Sequence, residues 1–144
     1  IGTANNYFYP YVYLWLWAFP YAIINDPVIA YYLNVFILMM ATMGIAYICV
    51  NSFTKSRMQA TLISVLFTTA PYHIFILSGQ SVLGEALAFT FIPLFFLGLY
   101  NVIRGNVHKW WIIAIALALT TYAHLITLAL EGIIAVVVYF ATIM

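Results

Sequence analysis

The sequence predicts an all-α, polytopic transmembrane bundle of about five to six hydrophobic helices, and three observations predict it. The 144 residues are 67% hydrophobic and 5% charged, with a mean hydropathy of +1.11, which leaves too little polar surface to cover a water-soluble domain. The formal charges fall in order as Asp26, Lys55 and Arg57, Glu85, Arg104 and Lys109, and Glu131, so their sign alternates between long uncharged stretches. Those stretches, Pro27 to Thr54, Met58 to Gly84, Ala86 to Ile103 and Trp110 to Leu130, each come close to or exceed the roughly 20 residues a helix needs to cross about 30 Å of hydrocarbon. Lys and Arg collect in cytoplasmic loops. The two basic gaps therefore face the cytoplasm and the three acidic positions the other side, with one crossing between each.

The first segment carries aromatics at every second position, Tyr7, Tyr9, Tyr11, Tyr13, Trp15, Trp17, Phe19 and Tyr21. The residues between them are also apolar, so the alternation separates no wet face from a dry one, and an open strand edge cannot face lipid. Pro10 and Pro20 bracket a short helix, and Tyr and Trp favour the headgroup level. This segment lies at the outer interface or is re-entrant; the alternative is a complete short crossing. The second, Val28 to Val50, spans from the acidic turn at Asn25, Asp26 and Pro27 to the basic turn at Lys55 and Arg57. The third, about Ala60 to Leu77, holds Pro71, and the fourth, Ala86 to Ile103, holds Pro93; kinks are expected at both. The fifth begins at Trp110 and Trp111, an interfacial anchor after Lys109. Its end has two readings: one crossing to Glu131 followed by a sixth helix, or two shorter helices meeting near Tyr122 to His124.

Several function classes are excluded. A net charge of +1 offers no basic footprint for nucleic acid. The single cysteine, Cys49, excludes an intrachain disulfide and reads as packing. No cleavable leader is apparent, and with Ile1 at its start the chain reads as an excerpt of a longer protein. Loops of a few residues make residues 1–144 one transmembrane domain of a multi-pass membrane protein.

Polar side chains inside spans are costly in hydrocarbon and so point into a bundle or a wet cavity. Thr120, His124, Thr127 and Glu131 recur at intervals that place them on one face of a helix. Thr68, Thr69, Tyr72 and His73 occupy the outer half of the third segment, Asn34 and Thr90 those of the second and fourth, with Glu85 at the mouth. Thr42, Thr61, Ser64 and Asn101 sit in the inner halves. The sequence thus predicts a polar cavity opening away from the cytoplasm. Each member also has a structural reading: Glu85 as a carboxylate at the positive end of a helix, Glu131 as a loop carboxylate, the histidines as hydrogen-bonded packing residues, and the Ser and Thr stripes as interhelical contacts. No His-Glu-x-x-His spacing appears, so no metal ligands are assigned.

From Asn6 to His124 the order of features resembles a family of bacterial polytopic membrane proteins related to 6-pyruvoyl-tetrahydropterin synthase, grouped with YfhO-like proteins and the GT-C membrane glycosyltransferases. The resemblance rests on Leu83-Gly84-Glu85-Ala86-Leu87-Ala88-Phe89, continuing through Ile92-Pro93-Leu94 and Leu97-Gly98-Leu99-Tyr100, which look like a Gly-Glu loop and its following helix. Tyr7-Phe8-Tyr9-Pro10, Pro71-Tyr72-His73 and Tyr122-Ala123-His124 look like three further family motifs. One departure is Gln80, where the family pattern has an arginine suited to phosphate. The resemblance implies a GT-C-like bundle in the bacterial cell membrane, in contact with membrane lipid. It also implies glycosyl transfer from a polyprenyl-phosphate sugar at the extracytoplasmic face, with an acidic general base in a large loop before Ile1. Glu85 is then the candidate catalytic carboxylate, orienting the donor or a divalent cation; Tyr72, His73, Gln80, His124 and Glu131 are candidate substrate-binding residues.

Two other classes compete. A transporter or lipid-handling protein would use the outward cavity as a path, and a noncatalytic membrane scaffold would use none of these side chains. The lack of Lys or Arg among the outer residues weighs against unaided phosphate binding.

Overall fold

A computed structural model of the chain describes residues 13–80 and 82–143, and these form helices joined by short turns. In order they are α1 (Leu14–Ile24), α2 (Pro27–Thr54), α3 (Arg57–Thr68), α4 (Pro71–Ile74) continued by a π-helical turn (Phe75–Gly79), α5 (Leu83–Ile103), a 3-10 turn (Val107–Lys109), α6 (Trp111–Ala123) and α7 (Leu125–Ile143). Three of these, α2, α5 and α7, are long and apolar enough to cross a membrane. A fourth span is added if α3 and the α4–π segment, bent by 43°, are one. Of the five to six expected helices, α1 and α6, at 11 and 13 residues, fall short of that length.

The turn between α1 and α2 follows from three adjacent residues. Asn25 takes the left-handed conformation (φ 56°), which its short polar side chain tolerates, and its N–H returns to the Tyr21 carbonyl at 2.9 Å. Asp26 then caps α2, its Oδ1 accepting from Val28 N at 2.9 Å and Ile29 N at 3.1 Å. Pro27 opens the helix where no N–H is needed. At the other end Lys55 (φ 57°) closes α2, and Ser56 caps α3. The spans are thus punctuated by the polar residues that set the charge pattern. Their bounds run somewhat wider than expected: α2 covers Pro27–Thr54, and α5 starts at Leu83.

Helix α2 buries a stripe at a spacing of three or four, from Ala30 through Asn34, Leu38, Thr42 and Ala46 to Cys49. Small residues on it let neighbouring backbones come close, and α1, α3 and α5 all pack against it. Its register with α5 is fixed twice. The Thr42 and Thr90 hydroxyls are 2.7 Å apart, and the rings of Phe53 and Tyr100 meet edge to face at 4.9 Å. The two helices therefore run parallel. Asp26 and Glu85 begin them at one end, and Lys55 and Arg104 close them at the other.

Helix α6 returns along α5 at close range. A Cβ added at Gly98 would come within 2.6 Å of the Ile113 backbone nitrogen, so the absence of a side chain there sets the separation. Tyr13, at the start of α1, is buried against Phe91 with centroids 6.1 Å apart, and its hydroxyl donates to the Leu119 carbonyl at 3.1 Å. The start of α1 is thus held in the bundle by Tyr13, while Trp15, Leu16, Phe19 and Ile23 remain exposed. The rest of the aromatic run, residues 1–12, lies outside the described residues.

Two expectations take a definite form. The third segment is divided, since Ala70 is extended before Pro71 as a residue preceding proline tends to be, and a π turn follows. The fifth segment takes the second of its two readings: α6 ends at Ala123, His124 is extended (φ −158°, ψ 114°), and α7 begins at Leu125. Thr120 and Glu131 therefore do not share one continuous helix, and Glu131 lies inside α7 rather than in a loop.

Candidate functional site

Six side chains were singled out by sequence, and the structure sorts them into two groups and a single residue. The first group gathers around Phe89, one turn beyond Glu85 on α5. Glu85 lies in the first turn of α5, half-buried, and accepts a hydrogen bond from the Tyr72 hydroxyl. Beside it His73 is fully buried, because α4 turns it inward directly after Pro71. Its ring stacks on Phe89 at 4.5 Å and 14°, and Phe89 stacks on Phe67 at 4.4 Å and 16°. Its Nδ1 is hydrogen-bonded to the Thr68 carbonyl at 2.8 Å, across the break that Pro71 makes. His73 Nε2 and the Thr68 hydroxyl are buried and have no hydrogen-bond partner. Nδ1 thus ties the ring across the kink, while Nε2 is buried without a hydrogen-bond partner.

Gln80 stands apart. It is exposed just past the π turn, and its backbone N–H closes that turn on the Phe75 carbonyl at 3.1 Å.

The second group sits at the α6–α7 break. His124 Nδ1 and the Thr127 hydroxyl are hydrogen-bonded at 2.9 Å, while Glu131 is 3% exposed and Thr120 fully buried. The Thr120 hydroxyl faces the Glu131 carboxylate, and these buried oxygens have no other hydrogen-bond partner among the described residues. The expected face of four polar residues survives as two pairs on either side of the break.

The sequence missed one concavity. A groove of about 370 Å³ runs between α1, α2 and α5, lined by apolar side chains such as Phe19, Ile37, Leu38 and Phe91, with Asn34 and Thr90 among them. Asn34 also lines a second hollow of about 260 Å³, with Tyr21, Pro27, Tyr31 and Leu83. The two hollows therefore adjoin at Asn34, whereas Glu85 and Phe89 lie on the opposite face of α5, toward Tyr72. In place of one polar cavity there is an apolar groove with a polar rim, because most buried hydroxyls turn into helix contacts. The signal that could have found it was the small-residue stripe on α2 facing Leu87 and Phe91.

Charge is distributed unevenly along the site. Glu85 and Arg104 are separated by about 28 Å of helix at 1.5 Å per residue. Lys55, Arg57 and Arg104 lie at the far ends of their helices, so no described cation attends Glu85. Among the described residues no three His, Cys, Asp or Glu side chains converge as metal ligands. A divalent cation at Glu85 would thus need oxygen ligands from substrate phosphate and water. Comparison with protein-family models, with curated proteins and with solved structures finds no match to this chain.

Proposed function

We propose that this chain is the lipid-seating part of a GT-C-like, multi-pass protein of the bacterial cell membrane, which presents a polyprenyl-phosphate sugar at the extracytoplasmic face. The observation that supports this reading most is the groove between α1, α2 and α5. Its walls are mostly apolar, as a prenyl chain requires, and Asn34 and Tyr31 stand at the hollow beside it, while the Glu85–Tyr72 pair lies on the other face of α5. Mostly apolar walls with a few placed polar groups are what a site for an amphipathic ligand needs. In this reading Glu85, held by Tyr72, orients the sugar or a cation on the donor phosphate.

The test is photo-crosslinking of the full-length protein in membranes with a polyprenyl phosphate carrying a diazirine on its prenyl chain. Label is expected on α2 and α5, and Leu38→Trp, which fills the groove, is expected to reduce it at least about tenfold, the equivalent of one lost side chain's worth of apolar contact. Glu85→Gln should leave the labelling unchanged and abolish sugar transfer. Labelling that Leu38→Trp does not touch would sink the reading. A lipid-handling protein without transfer chemistry is the second reading, favoured by the distance of every described cation from Glu85. It predicts labelling at the same groove and lipid movement that survives Glu85→Gln.

A further inference from the structure

We propose that the basic end of the bundle is a docking surface for an anionic phospholipid of the leaflet it meets, with the phosphate held by Arg104 and Lys55 and an acyl chain laid along the exposed face of α5. All four Lys and Arg of the chain fall in the two turns at this end, Lys55 and Arg57 after α2, Arg104 and Lys109 after α5. All four are exposed. Asp26 and Glu85 begin the helices that Lys55 and Arg104 close, and Glu131 lies in α7, so four positive charges gather with no carboxylate among them. Two contacts bring the turns together. The rings of Phe53 and Tyr100 meet edge to face at 4.9 Å, and the Arg104 guanidinium lies over the Tyr100 ring, 5.5 Å from its centroid. Lys55 follows Phe53 by two residues, so both turns close on one aromatic pair.

Charge complementarity selects the occupant. Like charges gathered without a counter-charge repel one another, and an anion relieves that repulsion. The Arg104 guanidinium, rested on an aromatic face, presents a planar fork that matches phosphate oxygens, and Lys55 adds a point charge. An apolar surface continues from these cations. Phe96, Tyr100 and Ile103 recur at intervals of four and three on α5, so they share one face; all three are exposed, and Arg104 follows directly. A soluble polyanion matches only the charges, whereas a phospholipid matches the charges and the stripe together. Trp110 and Trp111, exposed beside Lys109, mark this end as headgroup level. Basic turns also orient a membrane protein and offset the negative ends of α2 and α5. That role needs no ring beneath Arg104 and prefers no lipid, which is how the two are told apart.

The experiment titrates the full-length protein, in neutral detergent, with phosphatidylglycerol, phosphatidylcholine and glycerol phosphate, and counts bound molecules by native mass spectrometry. Phosphatidylglycerol is expected to bind at least about tenfold more tightly than phosphatidylcholine, which adds a positive charge to the same phosphate. It should also exceed glycerol phosphate, which lacks the acyl chains, by at least about tenfold. Arg104→Gln and Lys55→Gln should each weaken phosphatidylglycerol about fivefold; both side chains are exposed, so neither change threatens folding. Tyr100→Leu keeps every charge and should still weaken it about twofold or more, because the guanidinium loses its ring. Arg57→Gln should cost less than Arg104→Gln, and Asp26→Asn, at the other end, should change nothing. Equal affinity for phosphatidylglycerol and phosphatidylcholine overturns the inference, as does a preference that survives both Arg104→Gln and Lys55→Gln. Equal losses at Arg57 and Arg104 with none for Tyr100→Leu would also overturn it, since they describe a diffuse basic layer and no site. None of these outcomes depends on what the groove holds.

Discussion

Thr42 and Thr90 show how a pair of hydroxyls can fix the register of two membrane helices. Three contacts surround them: Thr42 to the Leu38 carbonyl at 2.8 Å, Thr90 to the Ala86 carbonyl at 3.2 Å, and the two hydroxyls to each other at 2.7 Å. Two protons cannot make three donations. The shorter backbone contact belongs to Thr42, so Thr42 donates to Leu38 and Thr90 donates across to Thr42. Thr42→Val removes the acceptor and sends the Thr90 proton back to Ala86, which limits the loss to about 0.6 kcal/mol, the usual size of such a bond between membrane helices. The check is a double-mutant cycle with Thr90→Val, read by unfolding in mixed micelles. A coupling energy of zero would show that each hydroxyl serves only its own helix. The sequence placed these two threonines in opposite halves of the bundle, inner and outer. That separation was an error of offset: depth was counted from each helix's own end, and the ends are not level.

At the scale of elements, the strongest local determinants are the cap at Asp26 and the gap at Gly98. Asp26→Ala removes the acceptor for two amides at the start of α2 and should lower stability by about 1 kcal/mol, whereas Asp26→Asn should cost far less; melting of the two variants side by side separates them. Gly98→Ala places a methyl group against the Ile113 backbone, which cannot rotate away as a side chain can, so α5 and α6 must part. A loss of about 1–3 kcal/mol is expected, together with weaker protection of the α6 amides from hydrogen exchange. These elements also divide what was legible from what was not. Asp26, Pro27, Lys55 and Pro71 mark their boundaries by chemistry that acts within a few residues, and the structure places helix ends there. The break at His124 carries no glycine or proline; it was readable only as an alternative, because apolar sequence runs on through it. The inward turn of Glu131 depends on how α7 folds back on α6 and α5, a tertiary fact with no local signature. The Glu85–Tyr72 bond is intermediate: both residues stood out, but only the bend after Thr68 brings α4 to the head of α5.

For the molecule as a whole, the unequal ends of α2 and α5 decide how the bundle must sit in a bilayer. Thr42 lies fifteen residues into α2 and its partner Thr90 seven into α5, so α2 extends about 12 Å beyond α5 at the acidic end. The whole of α2, 28 residues, is about 42 Å long against a hydrocarbon core of about 30 Å. The mismatch is resolved without a large tilt if the surplus protrudes at that one end. The first turns of α2, with Val28, Ile29 and Tyr32 exposed, then stand among the headgroups with α1 folded against them, and Glu85 lies below the interface instead of level with Asp26. A lipid whose phosphate sits at the ordinary headgroup depth would therefore reach Asn34 and Leu83 before it reached Glu85, and a phosphate engaging Glu85 must sink by two turns or draw water down with it. The expected outcome of cysteine scanning follows, in a Cys49→Ala background that removes the buried native thiol. With an impermeant maleimide applied from the acidic side, cysteines at Ile29 and Tyr32 should label at least about tenfold faster than one at Ile37, which faces the groove wall, while one at Gly105 should label only from the opposite side. Equal rates at Tyr32 and Ile37 would mean that α2 is level with α5 in the membrane and tilted instead, which would put Glu85 back at the surface. Labelling of Gly105 from the same side as Ile29 would remove the crossing itself.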